Sequence, residues 1–234
     1  MDTPKYRRIL LKLSGEALSD GDAGVLNFDF ITEIGKVIKK CVEAGVEIGI
    51  VVGGGNIWRG RHGIESNKSR SDHMGMMATV INGLALQSGF EELGIKTVLQ
   101  TSFEIKSIAD VYNNAKALEQ LSQKTVVIFS GGTGCPYFST DTAAILRAAE
   151  IKADVMMMAK NIDGIYTADP KKDPSAKRYD KLTYDDILKN GLAAIDSTAA
   201  AFGRDNKIPA FVFKLTPENI YEAVMGRANG TIIE

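Results

Sequence analysis

Four short glycine-bearing stretches hold most of the residues in this chain that could do chemistry. They are Lys12-Leu13-Ser14-Gly15, Gly53-Gly54-Gly55-Asn56, Gly131-Gly132-Thr133-Gly134 and Asp163-Gly164-Ile165-Tyr166-Thr167-Ala168-Asp169-Pro170. The first three each follow an apolar, β-branched run, and the fourth follows one within a few residues. A strand that ends in glycine and small hydroxyl residues exposes backbone N–H groups, and such groups bind phosphate. One glycine turn says little. Four of them, with Lys12 in one and Arg59 just past another, point to a site that holds several phosphates at once.

Moving a phosphoryl group between two phosphate-bearing molecules needs no general base, because the acceptor oxygen is already anionic. The obstacle is repulsion between two polyanions and the shift of charge in the transition state. Positioning and cationic screening then do the catalysis. Lys12 is the best cation for that task, and the fork of Arg59 suits phosphate. Asp141 either caps a helix or faces the site. Asp163 and Asp169 flank a glycine turn, as turn formers or as site groups. The commoner phosphate devices are missing. Gly35-Lys36 is followed by Val37 inside a helix, so there is no P-loop. No G-x-G-x-x-G follows the first strand, and the protein-kinase H-R-D set is absent. His62 and His73 have no serine or cysteine nucleophile context and read as surface or supporting residues. No residue is read as a metal ligand.

The elements that must position these groups can be read from periodicity. Continuous apolar runs at 9–13, 46–52, 97–99, 125–129, 154–159 and 210–213 do not alternate, which is the pattern of strands covered on both faces in a parallel sheet. Ile31, Ile34, Val37, Ile38, Cys41 and Val42 make a helical stripe that Gly45 is placed to end. Thr183 can cap a helix closed by Gly191, and Thr216-Pro217 opens another. Strand and helix alternate throughout, so the expected fold is an α/β three-layer sandwich with a mainly parallel central sheet. The polar 161–181 stretch reads as a surface excursion near the site. From 72 to 93 a methionine-rich helix is apolar on more than one face, with Met74, Met76, Met77, Val80, Ile81, Leu84, Leu86 and Phe90. It is a central core helix or a subunit interface, and the interface is preferred.

Composition narrows the field. The chain has 234 residues, 44% hydrophobic and 24% charged, with a formal net charge of −1. That charge argues against bulk nucleic-acid binding. Cys41 and Cys135 lie far apart and outside metal-ligand spacing, which fits a reduced intracellular protein. No run reaches transmembrane length or forms a signal peptide, so a cytoplasmic protein without a membrane partner is expected.

Several blocks resemble the bacterial uridylate kinases, within the amino acid kinase superfamily. They are Lys12 to Leu18, the triple glycine with Asn56, Arg59 and Gly60, Asp72-His73-Met74-Gly75-Met76, and Gly131 to Gly134. The stretches Tyr137 to Ala144 and Asp163 to Pro170 match as well, and the resemblance runs from Ile9 to about Phe213. It implies a single domain over 1–234, with the acceptor side mainly in 50–150 and the ATP side mainly in 151–234 plus 9–15. It implies transfer of a phosphoryl group from ATP, with Mg²⁺, to UMP in pyrimidine nucleotide synthesis. It also implies a homohexamer activated by GTP and inhibited by UTP, with the 20–25 stretch matching the activation loop only loosely.

Carried over by motif, Lys12, Leu13, Ser14 and Gly15 would contact ATP phosphates, with Gly55 and Arg59. Gly54 would bind UMP and Asp72 its ribose hydroxyls. Thr133, Gly134, Cys135, Pro136, Tyr137, Phe138, Ser139 and Thr140 would wrap its phosphate and uracil. Lys160 or Asn161, with Tyr166 and Asp169, would line the adenine and ribose side. The family usually reads Thr-Lys-Val-Asp-Gly or Lys-Asn-Gly-Val-Asp-Gly where this chain has Lys160-Asn161-Ile162-Asp163-Gly164. Two other readings stay in view: a relative that phosphorylates carbamate, glutamate or aspartate, and a nucleotide sensor without turnover.

Overall fold

Strand β1 (Arg8–Leu13) lies in the middle of a sheet whose other strands are added on both its sides. The structure is a computed structural model that describes residues 3–21, 24–59, 67–192 and 194–234. Gly60 and His62, and positions 22 and 23 of the 20–25 stretch, fall outside those residues. On one side of β1 come β2 (Glu47–Val52), β5 (Val126–Ser130), β3 (Thr97–Thr101) and the short β4 (Asp110–Val111). On the other come β6 (Val155–Lys160), β10 (Ala210–Lys214), β11 (Gly230–Ile233) and β9 (Lys181–Leu182). Every neighbouring pair is parallel except β10 and β11, which run antiparallel. A small separate hairpin joins β7 (Ile165–Tyr166) to β8 (Arg178–Tyr179) within the expected polar excursion.

Alternation along the strands sends their side chains to two covering layers. Ile9, Leu11 and Leu13 of β1 pack with α1 (Phe28–Glu43), α2 (Lys68–Glu92) and α7 (Pro217–Val224). Leu10 points the other way, among α3 (Asn114–Ser122), α4 (Thr140–Glu150), α5 (Tyr184–Asn190) and α6 (Ser197–Asp205). The architecture is the expected three-layer α/β sandwich with a mainly parallel sheet. The cap signals at Thr183 and Thr216 are used: each side chain accepts a backbone N–H three residues on, and Gly191 closes α5 in the left-handed region.

Helix α2 starts earlier than expected, and of the two readings of Asp141 the helix cap falls away. Helix α2 opens one turn before Asp72: Asn67 accepts the Arg70 N–H and is the cap, so Asp72 lies inside the helix. Helix α4 is capped by Ser139, whose hydroxyl accepts the N–H groups of Asp141 and Thr142, so Asp141 is not the cap either. Helix α2 is also not apolar all round in its packing. Val80 is 3% exposed and belongs to the core with Leu86 and Phe90, whereas Met74, Met77, Ile81 and Leu84 form an exposed stripe, Ile81 at 46%. The side toward the sheet carries small residues, among them Ala78, Gly83 and Ala85, which let the helix lie close.

Candidate phosphoryl-transfer site

The carboxyl ends of β1, β2, β5 and β6 meet on one edge, and the glycine turns follow them. In an open α/β sheet this is where ligands bind, beside the strand at which the winding reverses. Here that strand is β1. Lys12 occupies its end and shares a sheet face with Leu10, so its side chain extends toward the layer holding α4. The Asp141 carboxylate in the first turn of α4 takes it, Nζ to Oδ1 at 3.0 Å, with the two side chains 13% and 17% exposed. Asp141 therefore faces the site. Lys160, at the end of neighbouring β6, extends to the same side and donates from Nζ to the Ala194 carbonyl. Burial lowers the Lys160 pKa below the ordinary lysine value; Asp141 and Asp196 oppose that shift and the Lys12 ammonium reinforces it.

Helix α2 fixes the turns that follow β2 and β5. The fully buried Asn82 donates from Nδ2 to the Gly53 carbonyl at 2.7 Å, and exchanges hydrogen bonds with Asn56. Thr79 Oγ1 accepts the Gly131 N–H at 2.8 Å, while Ser130 Oγ donates to the Thr79 carbonyl at 2.9 Å. Gly54 must be glycine for this docking: a Cβ there would stand 2.7 Å from the Gly75 carbonyl oxygen and 2.8 Å from the Ala78 Cβ. Gly131, Gly132 and Gly134 all have positive φ, which turns successive N–H groups in a way few side-chain-bearing residues allow.

Two cavities adjoin the strands that flank β1, one at the turn after β2 and one at the end of β6. The first, of about 290 Å³, is lined by Gly54, Gly55, Trp58, Ser71, Asp72, Gly75, Met76, Thr79, Gly132, Phe138, Ser139 and Thr140. The second, of about 540 Å³, is bounded by Lys160, Ile162, the 164–170 turn, the 190–192 segment, Ala194 and Val212. Tyr166 and Asp169 are in its wall; Asn161 is exposed and is not. At its edge the Tyr166 hydroxyl donates to Asp163 at 2.9 Å and Arg178 pairs with Asp163 at 3.2 Å. Desolvation would raise the Asp163 pKa, but those two donors hold it below the usual carboxylate range.

Other expected residues stand outside the cavities. Arg59 is paired with Glu16 at 2.7 Å and donates from Nε to the Gly55 carbonyl, at a neighbouring depression that also includes Ser19 and Gly21. Leu13 is buried in the core, so that position offers the site its backbone and not its side chain. Ser14 and Gly15 form the turn after β1, packed on Gly53. Thr133, Gly134, Cys135, Pro136 and Tyr137 build the loop beyond the first cavity, and Tyr137 is 69% exposed. His73 is exposed on α2. The sequence reading missed Asn82, Thr79 and Asp196. Asp196 caps α6, accepts the Ser139 hydroxyl and the Thr142 hydroxyl (3.2 Å), and so ties α6 to the start of α4. Among the described residues, no three His, Cys, Asp or Glu side chains are grouped to hold a metal ion.

A profile of the amino acid kinase family matches residues 7–214. Among solved structures, a UMP kinase from Bacillus anthracis superposes with a TM-score of 0.92 at 35% identity, over 98% of this chain and 96% of that one. A UMP kinase from Ureaplasma parvum gives 0.93 at 34% identity, over 98% and 99%. A uridylate kinase from Archaeoglobus fulgidus gives 0.72 at 33% identity, over 97% and 99%.

Proposed function

The chain belongs to the amino acid kinase family, and on that footing we propose that it transfers the γ-phosphoryl group of ATP to UMP, giving ADP and UDP for pyrimidine nucleotide synthesis. What supports this reading is Lys12 at the end of the central strand, paired with Asp141 and flanked by β2, whose turn lines the smaller cavity, and by β6, whose end lines the larger. ATP occupies the larger cavity, its base and ribose beside Tyr166 and Asp169, with Lys160 toward the phosphates. UMP occupies the smaller, its phosphate at the Gly132 turn and the start of α4. Two anionic groups then meet at Lys12. The ammonium screens the charge that builds on the transferring group, and Asp141 aims it. Arg59 leaves Glu16 to join the ATP phosphates beside Gly55.

Mg²⁺ enters with ATP. The triphosphate would hold the ion, and Asp141, which pairs with Lys12, would be the carboxylate of this site to meet it. The ion supplies positive charge to the phosphates. Among the described residues no helix is long and apolar enough to cross a membrane; we place the protein in the cytoplasm, free of nucleic acid. It assembles as a homohexamer through the exposed stripe of α2, with GTP as activator and UTP as inhibitor.

A kinase of carbamate or a small amino acid is disfavoured by Asp72, a carboxylate in the wall of the acceptor cavity where an acidic acceptor would be repelled. The test is ADP release with ATP and Mg²⁺ over a panel of nucleoside monophosphates and small acids. UMP should lead; turnover with a small acid alone, or none at all, would overturn the proposal. Within it, Asp72→Asn should raise KM for UMP and shrink the preference for UMP over 2′-deoxy-UMP, with KM for ATP and Tm little changed. Because Asn67 is the cap, no loss of capping clouds that comparison.

A further inference from the structure

Among the described residues the acceptor cavity has one charged group in its wall, Asp72, and that group is held from two directions. Lys68, one turn earlier on α2, donates from Nζ to both Asp72 oxygens at 3.1 Å. From the loop that follows β5, the Tyr137 N–H donates to Oδ2 at 2.8 Å. The Lys68 ammonium also lies 5.3 Å from the centre of the Tyr137 ring. Tyr137 is itself at φ 71°, a region in which a side-chain-bearing residue is strained. Its three successors, Phe138, Ser139 and Thr140, line the cavity. Lys68, Asp72 and Tyr137 thus form a clasp between α2 and the acceptor loop.

An ionised carboxylate has about four acceptor positions. Lys68 takes one on each oxygen and Tyr137 takes a second on Oδ2. What is left is one position on Oδ1. We propose that Lys68 is a positioning residue for the acceptor nucleotide, which orients Asp72 so that Oδ1 receives a ribose hydroxyl and which holds the acceptor loop against α2. An i,i+4 pair on a helix surface ordinarily contributes little. This one differs because its acid is 16% exposed and built into a cavity wall, so the lysine acts on the ligand through Asp72. The inference rests on the reading of the smaller cavity as the UMP site.

The test is calorimetric Kd for UMP and for 2′,3′-dideoxy-UMP, without ATP, on wild-type protein and on Lys68→Met, Lys68→Arg, Asp72→Asn and the Lys68→Met/Asp72→Asn double variant. Lys68→Met should weaken UMP at least threefold and the dideoxy nucleotide less than threefold, with Tm unchanged. Lys68→Arg should restore UMP binding. In the double variant the lysine change should add nothing to Asp72→Asn, since residues acting through one another are not additive. A smaller loss for UMP, an equal loss for both nucleotides, or additive losses would overturn the assignment. Should Lys68→Met lower Tm, Lys68→Gln repeats the comparison. Wild-type protein that binds UMP yet releases no ADP counts against the function and leaves the clasp standing; wild-type protein that does not bind UMP overturns both.

Discussion

Removing the Lys12 ammonium separates charge stabilisation from binding. If it acts chiefly on charge that develops during transfer, Lys12→Ala lowers kcat by roughly 10²-fold or more, the scale of a lost electrostatic stabiliser, while KM for ATP changes little. Steady-state kinetics check this, and retention of half the wild-type kcat would remove Lys12 from the reaction. Lys160 makes a second, pH-dependent expectation. Burial lowers its pKa from 10.5, with Asp141, Lys12 and Asp196 as its charged neighbours. Its positive charge is therefore lost at a lower pH than that of an ordinary lysine, and the alkaline limb of kcat/KM should fall below 10.5. Lys160→Arg, which cannot lose its proton in that range, should move the limb upward. The sign for stability is opposite to the usual lysine case. The unfolded chain binds the proton more tightly, so the charged ammonium costs folding energy below its folded pKa and the cost is relieved as pH climbs toward 10.5.

At the scale of the elements, α2 has two apolar faces with different fates. Val80→Glu places an unpaired charge in the core and should unfold the protomer, a loss of several kcal/mol. Ile81→Glu, one residue on, changes the exposed stripe and should leave a folded protomer that no longer assembles. Light scattering with circular dichroism distinguishes them; two variants that both keep the assembly and the fold would refute the interface. This division was not legible in the sequence, where Val80 and Ile81 are equally apolar and a periodicity cannot say which face meets the sheet. The long strands were legible, because 9–13 or 154–159 is continuous apolar sequence. The two-residue strands β4, β7, β8 and β9, and β11 with its Thr231-Ile232-Ile233, are too short to leave a pattern. Asn67 and Asp72 are both good cap types one turn apart, so residue preference could not choose between them. Glycine turns and Lys12 announced the site. Its supports did not, since Asn82 and Asp196 find partners 29 and 57 residues away, and the local signal of Asp196 is that of a cap for α6 and says nothing of Ser139.

For the molecule as a whole, the centre of the sheet is the sensitive place. Leu11 is fully buried, level with Ile50 on one side and Met157 on the other. Leu11→Ala should cost about 2–5 kcal/mol, read from urea unfolding, against within ~0.5 kcal/mol for a surface change such as Lys36→Ala. A loss below that range would mean that the core collapses around the gap. The central place of β1 has a further consequence, in time. Strand β1 is completed on its second edge by β6, and Asp154, just before β6, accepts the N–H groups of Arg7 and Arg8. At ~5–20 residues/s, roughly 7–30 s pass between the synthesis of those two strands. Through that interval the nascent chain carries a long apolar strand with a bare edge, a template for pairing with a neighbour on the same message. A chain stopped before residue 155 would have the turns after β1, β2 and β5 but no β6 to pair with the open edge of β1, and the expected outcome is aggregation, read by sedimentation of such a truncated chain.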